Sequence, residues 1–340
     1  MFDIVKAWPF TERHLTETIN EIPNQYGYIE ELDYAPGEGV ATTAVEIAKV
    51  GDSVRVLPQV ERGGPSSTKG APVEDSIFLR IPSFPQVHKI GPADVQDWVQ
   101  KANREFKPKS LEMSLAERLQ SLRFDHDLTL EYQRMGAIKG TLVDGNGKTL
   151  LDLFDAFGIT QKVVNFALDV STTKVTEKVD EVISYIRANL LGEIMTGVDI
   201  LVDKAFFNAL VSHPNVEKFY VNYEAAMMLA NPDYKPLYGR IFSFHGVTFR
   251  EYDATVTLYN GTTVPLIASG TGHALPVGTR DAFQTYFGPP NDIRFVNMEG
   301  MEIFMSQEFE KHGAGIELKS ESCPLAVYRR PVLLVKVTAS

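Results

Sequence analysis

The sequence predicts an α+β fold in which a long helix lies beside a small sheet and a second α/β unit follows. Three observations predict it. Val54, Val56 and Val60 alternate with polar residues, as do Ile77, Leu79 and Ile81, which is the period of a strand. From Gly91 the apolar period changes to that of a helix. Beyond Lys139, segments of both periods succeed one another to the end of the chain.

In order along the chain, residues 1–52 read as extended, because Pro9, Pro23 and Pro36 interrupt them and Gly39–Val50 alternates in strand fashion. This gives an N-terminal arm followed by an edge strand. Ser53–Ile90 reads as a long two-stranded arm, with strands Ser53–Val60 and Ser76–Ile81. Between them, Arg62 to Pro72 is too polar and too rich in Gly and Pro for a core element. A two-stranded hairpin alone is marginal in water, so the reading requires support from elsewhere, and a neighbouring copy of the chain is the candidate. Arg62, Gly63, Gly64, Lys69 and Gly70 are the residues expected to make that contact.

Val95, Trp98, Val99, Ala102 and Phe106 fall at helical spacing, with Pro92 in a first turn and Pro108 forcing a break near Lys107. Ser114 and Glu117 form a capping-box pattern. Leu115, Leu119 and Leu122, then Leu128, Tyr132 and Met135, continue the apolar stripe, so Ser114–Ile138 predicts a helix roughly 35 Å long. Lys139–Val143 and Lys148–Phe154 flank Asp144-Gly145-Asn146-Gly147, a tight-hairpin signal. Thr172–Thr173 reads as a hinge. Helices follow at Thr176–Leu191, at Lys204–Val211 with Asp203 as its cap, and at Asn215–Ala230. Strands are expected at Val198–Val202, Phe242–Pro265, Phe295–Met305 and Gly315–Val337. The apolar run Pro331–Val337 needs a sheet to pair with, which predicts a return of the final strands to the first unit.

Composition narrows the function. With 340 residues, 44% hydrophobic and 23% charged, the chain can bury a core, and global disorder is excluded. No apolar run approaches the ~20 residues that span a bilayer, and Met1–Lys6 lacks the layout of a secretion signal, so no membrane partner is expected. The single cysteine, Cys323, excludes an intramolecular disulfide and reads as a small buried hydrophobe. A net charge of −11 argues against neutralising phosphates as a nucleic-acid reader does. Acidic walls would, however, keep an enclosed genome from adhering.

No catalytic constellation, cofactor site or metal site is read. Asp144–Thr149 ends in Gly-Lys-Thr, but Leu142 stands where a P-loop needs Gly, and Lys148 occupies a ligand position of a calcium loop. Asp125-His126-Asp127 diverge on a helix and read as a solvated face. Ser269-Gly270-Thr271-Gly272-His273 is not Gly-x-Ser-x-Gly, and it reads as a loop at an inter-subunit junction. A soluble enzyme using Ser269 and His273 is a rival reading without a motif behind it. Trp8, Trp98, Phe283, Tyr286 and Phe287 fit interface anchors and core packing equally.

Several features stand in a definite order. They are Arg62-Gly63-Gly64 in a Gly-rich arm, a long helix ending in Glu131-Tyr132-Gln133-Arg134-Met135-Gly136-Ala137-Ile138-Lys139-Gly140, and a hairpin with a second α/β domain. After these come Gly315-Ile316-Glu317-Leu318, Ser322-Cys323-Pro324-Leu325, Pro331 and Val335-Lys336-Val337. Together they resemble the lambda-like phage major capsid protein (protein E) family. The resemblance implies the Hong Kong 97-type capsid fold. Its parts would be an N-terminal arm at 1–36, a peripheral-domain strand at 37–52, an extended loop at 53–90 and a peripheral domain with a spine helix at 91–172. An axial domain at 173–305 and C-terminal strands at 306–340, returning to the peripheral domain, would complete it.

The resemblance further implies a major capsid protein of a tailed bacteriophage, with no enzymatic activity and no cofactor. It would self-assemble into the hexamers and pentamers of an icosahedral head that encloses DNA without sequence-specific binding. The implied partners are further copies of itself, a separate scaffolding protein, a portal and a decoration protein. The implied location is the virion, with the host cytoplasm during assembly. An encapsulin-like nanocompartment shell is the alternative on the same fold.

Overall fold

The computed structural model describes residues 11–22, 27–48, 76–92, 99–100, 105–106, 111–191, 193–230, 239–279 and 282–340. In chain order its elements begin with helix α1 (Glu12–Glu21), the single turn α2 (Tyr28–Glu31), and strands β1 (Gly37–Gly39), β2 (Ala44–Ala48), β3 (Ser76–Arg80), β4 (Phe84–Ile90), β5 (Val99–Gln100) and β6 (Glu105–Phe106). The 29-residue helix α3 (Leu111–Lys139) leads to β7 (Thr141–Val143), β8 (Thr149–Asp152), α4 (Leu153–Phe157), β9 (Lys162–Asn165) and α5 (Val175–Asn189). Next come β10 (Gly197–Val202), α6 (Lys204–Val211), α7 (Glu217–Ala230), β11 (Ile241–Phe244), β12 (Val247–Glu251), β13 (Thr255–Thr257) and β14 (Thr263–Pro265). The remainder is β15 (Thr271–Val277), β16 (Phe283–Phe287), β17 (Phe304–Phe309), β18 (Ile316–Ser322), β19 (Pro324–Tyr328) and β20 (Val335–Thr338).

The described residues fall into two compact units. One takes those within 1–45, 79–134 and 285–326, and the other takes those within 46–78, 135–284 and 327–340. In the first unit an antiparallel sheet in the order β17-β18-β4 packs on α1 and the N-terminal part of α3. The expected stripe Leu115, Leu119 and Leu122 is buried there with Leu15, Ile19, Ile90, Ile303, Met305, Ile316 and Leu318. Each of these side chains leaves water on folding, at about 1.5–3 kcal/mol for a fully buried one. The second unit is built on a mixed six-stranded sheet, β11-β12-β10-β15-β20-β9. Its central β10 pairs parallel with β12 and antiparallel with β15, and reads Val-Asp-Ile-Leu-Val because both faces are covered. Phe206 of α6 packs on Phe166 and on Phe249 of β12, with ring centroids 5.5 and 6.5 Å apart.

Local signals set several boundaries. The Asp203 carboxylate accepts from the Ala205 and Phe206 N–H groups and starts α6 at the expected residue. Asp144 accepts from the Asn146 and Lys148 N–H groups, both at 2.8 Å, and closes the β7–β8 hairpin. Gly140, at φ +87°, ends α3, because a Cβ in that conformation would run into the Phe154 ring.

Three expectations are corrected. Residues 12–21 are helical rather than extended. Pro9 and Pro23 lie outside the two ends of α1, and Leu15, Thr16 and Ile19 form a buried face. Val99 and Phe106 are opposed in the two-residue β5–β6 ladder, so residues seven apart, which a helix would place on one face, meet here as a cross-strand pair. Helix α3 begins at Leu111, one turn before the Ser114–Glu117 pair, because Leu111, Glu112 and Met113 are strong helix formers. The run Pro331–Val337 does find a sheet: β20 lies between β15 and β9, the latter at Lys162–Asn165 within the expected 91–172 range, and β18 pairs with β4.

Candidate functional site

The arm residues Arg62, Gly63, Gly64, Lys69 and Gly70 lie outside the described residues, as do Trp8 and Trp98. The structure does describe the residues on either side of 49–75. β2 and β3 form a two-stranded sheet, and the Ile81 N–H donates to the Thr43 carbonyl at 3.0 Å. Immediately after it, the Ser83 hydroxyl donates to Glu321 Oε1 at 2.6 Å, and the Asn291 N–H reaches the same oxygen at 2.9 Å. Lys319 Nζ holds Oε2 at 2.7 Å. Burial alone would raise the Glu321 pKa, but the hydrogen bonds from Lys319, Ser83 and Asn291 outweigh it and hold the carboxyl below its ordinary range. From there β4 pairs with β18 without interruption, from Phe84↔Ser322 to Ile90↔Ile316. Glu321 therefore ties the returning limb of the arm to a C-terminal strand through a charged group that stays ionised.

Helix α3 supplies a second set of anchors. His126 Nε2 lies 2.8 Å from the Ser320 hydroxyl, and Asp125 accepts from Gln86 Nε2 at 2.7 Å. Arg123 lies 2.9 Å from Asp127 and 2.7 Å from Glu302 as close charge contacts. One turn further on, Glu131 accepts from the Ile29 N–H at 3.0 Å, and Arg134 pairs with Glu30 and donates to Thr285 Oγ1 and the Ala35 carbonyl. This overturns the solvated-face reading of Asp125-His126-Asp127, since His126 and Asp127 are buried. Burial pushes the His126 pKa down to about 4, so the ring is neutral at pH 7. The three side chains do diverge, each toward its own partner, and among the described residues no cluster has the makings of a metal site.

Ser269 and His273 are not assembled as nucleophile and base. Asp203 commits its oxygens to the α6 N–H groups, the Gly270 N–H at 2.9 Å and the Ser269 hydroxyl at 3.4 Å, which pins the loop. His273 sits within β15 opposite Leu201 and Lys336, with its pKa pushed down to about 3 by burial and by the Lys139 and Lys336 charges. Phe283, Tyr286, Phe287 and Cys323 are buried core residues, and burial raises the Cys323 thiol to about 11.

One unit sets a long helix against an antiparallel sheet, the other is built on a mixed sheet, and within each unit polar anchors hold segments in place. The family model for phage major capsid protein E matches residues 11–339. The chain belongs to the phage major capsid protein E family. As a member of that family it is a structural protein, the major capsid protein of a tailed phage and a component of the virion. It is 25% identical to the major capsid protein of Salmonella phage Felix O1 (isolate Felix O1-VT1), covering 96% of this chain and 95% of that protein. It is 26% identical to the major capsid protein of Pseudomonas phage KPP10, covering 97% of both. The crystal structure of a prophage capsid protein from E. coli CFT073 superposes with a TM-score of 0.58 at 12% identity, over 97% of this chain and 99% of the other. A phage-related protein of Bordetella bronchiseptica RB50 gives a TM-score of 0.51 at 10% identity, over 95% of each chain. The phage major capsid protein E family member described here has the Hong Kong 97-type fold, as its resemblance implied.

Proposed function

We propose that copies of this chain close an icosahedral head as hexamers and pentamers, with the extended loop of each laid over an adjacent subunit. The observation that supports this reading is that Glu321 clamps Ser83 and β4 is fixed on β18, so the residues that follow the expected loop contact have an anchored base. Arg62, Gly63, Gly64, Lys69 and Gly70 would make the contact with the neighbour. Residues 91–172 would serve as the peripheral domain and 173–305 as the axial domain. Scaffolding, portal and decoration proteins would be separate partners, with assembly in the host cytoplasm and DNA enclosed without sequence-specific binding. No step requires catalysis by the subunit. Both named relatives are phage proteins, which supports the head over a cargo compartment.

Electron microscopy of the chain expressed with its scaffold tests this. Closed shells showing both six- and five-fold capsomers are expected. Deletion of residues 62–70 should leave a folded subunit that forms no shells. Persistently monomeric wild-type protein sinks the reading.

A further inference from the structure

Two hairpin tips meet in the second unit, and each carries an Asn-Gly pair. Asn146-Gly147 closes β7–β8 and Asn260-Gly261 closes β13–β14, and the sequence holds no other such pair. The tips touch where the Tyr259 N–H donates to the Gly145 carbonyl at 2.8 Å. Asn146, Gly147, Asn260 and Gly261 are all exposed.

In an Asn-Gly pair the glycine nitrogen can attack the asparagine side-chain amide, because no Cβ crowds that nitrogen. Gly147 stands at φ +82°, and a Cβ there would meet nothing within 4 Å, so the space around this tip is open. The two glycine nitrogens carry comparable restraints. The Gly147 N–H donates to the Asp144 carbonyl at 3.1 Å, and the Gly261 N–H to the Leu258 carbonyl at 2.9 Å. The asparagine side chains differ. Asn260 Oδ1 accepts from the Thr262 N–H at 2.9 Å, an Asx turn that fixes its amide in one rotamer. At the other tip Asp144 takes that part, accepting from the Asn146 and Lys148 N–H groups. The Asn146 side chain makes no hydrogen bond among the described residues, so its amide can turn onto the Gly147 nitrogen.

We propose that Asn146 is a site of spontaneous succinimide formation, a modification that gives the β7–β8 tip a new carboxylate as the subunit ages. The Gly147 nitrogen gives up its proton to solvent and bonds to Asn146 Cγ. The Cγ–Nδ2 bond breaks, and the amide nitrogen regains a proton and leaves as ammonia. Water then opens the ring at either carbonyl, leaving aspartate or isoaspartate, with no oxidant or reductant involved. Either product sets a negative charge beside Asp144. Isoaspartate also routes the main chain through one more methylene, which lengthens the turn and loosens the Tyr259 contact to Gly145. This inference is independent of shell assembly, because a free subunit carries the whole site.

The test incubates purified full-length subunits at mildly alkaline pH, which favours loss of the Gly147 amide proton. Peptide mass mapping follows deamidation, and hydroxylamine cleavage after residue 146 traps the ring. Asn260 must first break a hydrogen bond, so Asn146 should convert about threefold faster or more. In the urea-unfolded chain the two sites should convert at similar rates, since only the fold distinguishes them. Asn146→Gln keeps the backbone N–H for Asp144 but cannot close a five-membered ring. It should abolish cleavage after residue 146 and leave thermal unfolding unchanged. Conversion of Asn260 as fast as Asn146 in the folded subunit overturns the proposal. So does a preference for Asn146 that persists in urea, or conversion of Asn146 in urea alone.

Discussion

At the scale of single residues, burial makes His126 a source of pH-dependent stability. Its folded pKa of about 4 lies below the ordinary 6.5, so as pH falls the unfolded chain takes up the proton first. The stabilisation is complete above pH 6.5 and is lost between about 6.5 and 4, amounting to about 3 kcal/mol. His126→Gln keeps a polar partner for Ser320 but does not titrate. Its denaturation midpoint should fall less than that of the wild type between pH 7 and pH 4.5, and equal falls would refute the assignment. Arg123→Met removes the guanidinium 2.9 Å from the buried Asp127 and should cost about 3 kcal/mol, and adding Asp127→Leu should restore most of it. Urea unfolding of the three proteins measures this, and a double variant no better than the single one contradicts it. The divergence of Asp125, His126 and Asp127 was legible from helical spacing. Their burial was not, because Ser320 stands 194 positions from His126, and no local pattern announces a partner at that distance.

At the scale of elements, α1 acts as a cover for a sheet edge. β17 is an outer strand, and an unpaired strand edge invites pairing with other chains. The Thr16 hydroxyl accepts from the Met305 N–H at 3.0 Å, while the Asn20 side-chain amide exchanges hydrogen bonds with the Ile303 N–H and carbonyl at 3.2 and 2.9 Å. Thr16→Val keeps the shape and removes the acceptor, so it should cost about 1–2 kcal/mol and speed amide exchange at Met305. A Met305 amide that exchanges at the wild-type rate would tell against this role. α6 was legible because Asp203 and the apolar stripe Phe206, Phe207 and Leu210 lie together in sequence. α1 was not, because its buried face is three residues wide and its bracketing prolines read as interruptions. The loop's root escaped detection for a similar reason: Glu321 gains its meaning only from Ser83, Asn291 and Lys319.

At the scale of the molecule, a net charge of −11 opposes the approach of like copies. Raising ionic strength from about 0.1 to about 1 M cuts the screening length from ~10 to ~3 Å, so association should quicken. Light scattering during shell formation reads this directly, and a rate that is flat or falling with salt excludes repulsion between copies as the brake. The sequence order of arm, long helix, hairpin and second α/β region was legible as a series. The interleaving was not, because the chain passes between its two units after residues 45, 78, 134, 284 and 326. Pairing across such gaps leaves no periodic trace. The sheet order β15-β20-β9 places a strand at 335–338 between partners made much earlier. During translation β9 therefore waits without its neighbour until that stretch has left the ribosome. Until then β15 and β9 each keep an open edge of the kind that invites pairing with other chains, so a nascent second unit is exposed to misassembly until its sheet is closed.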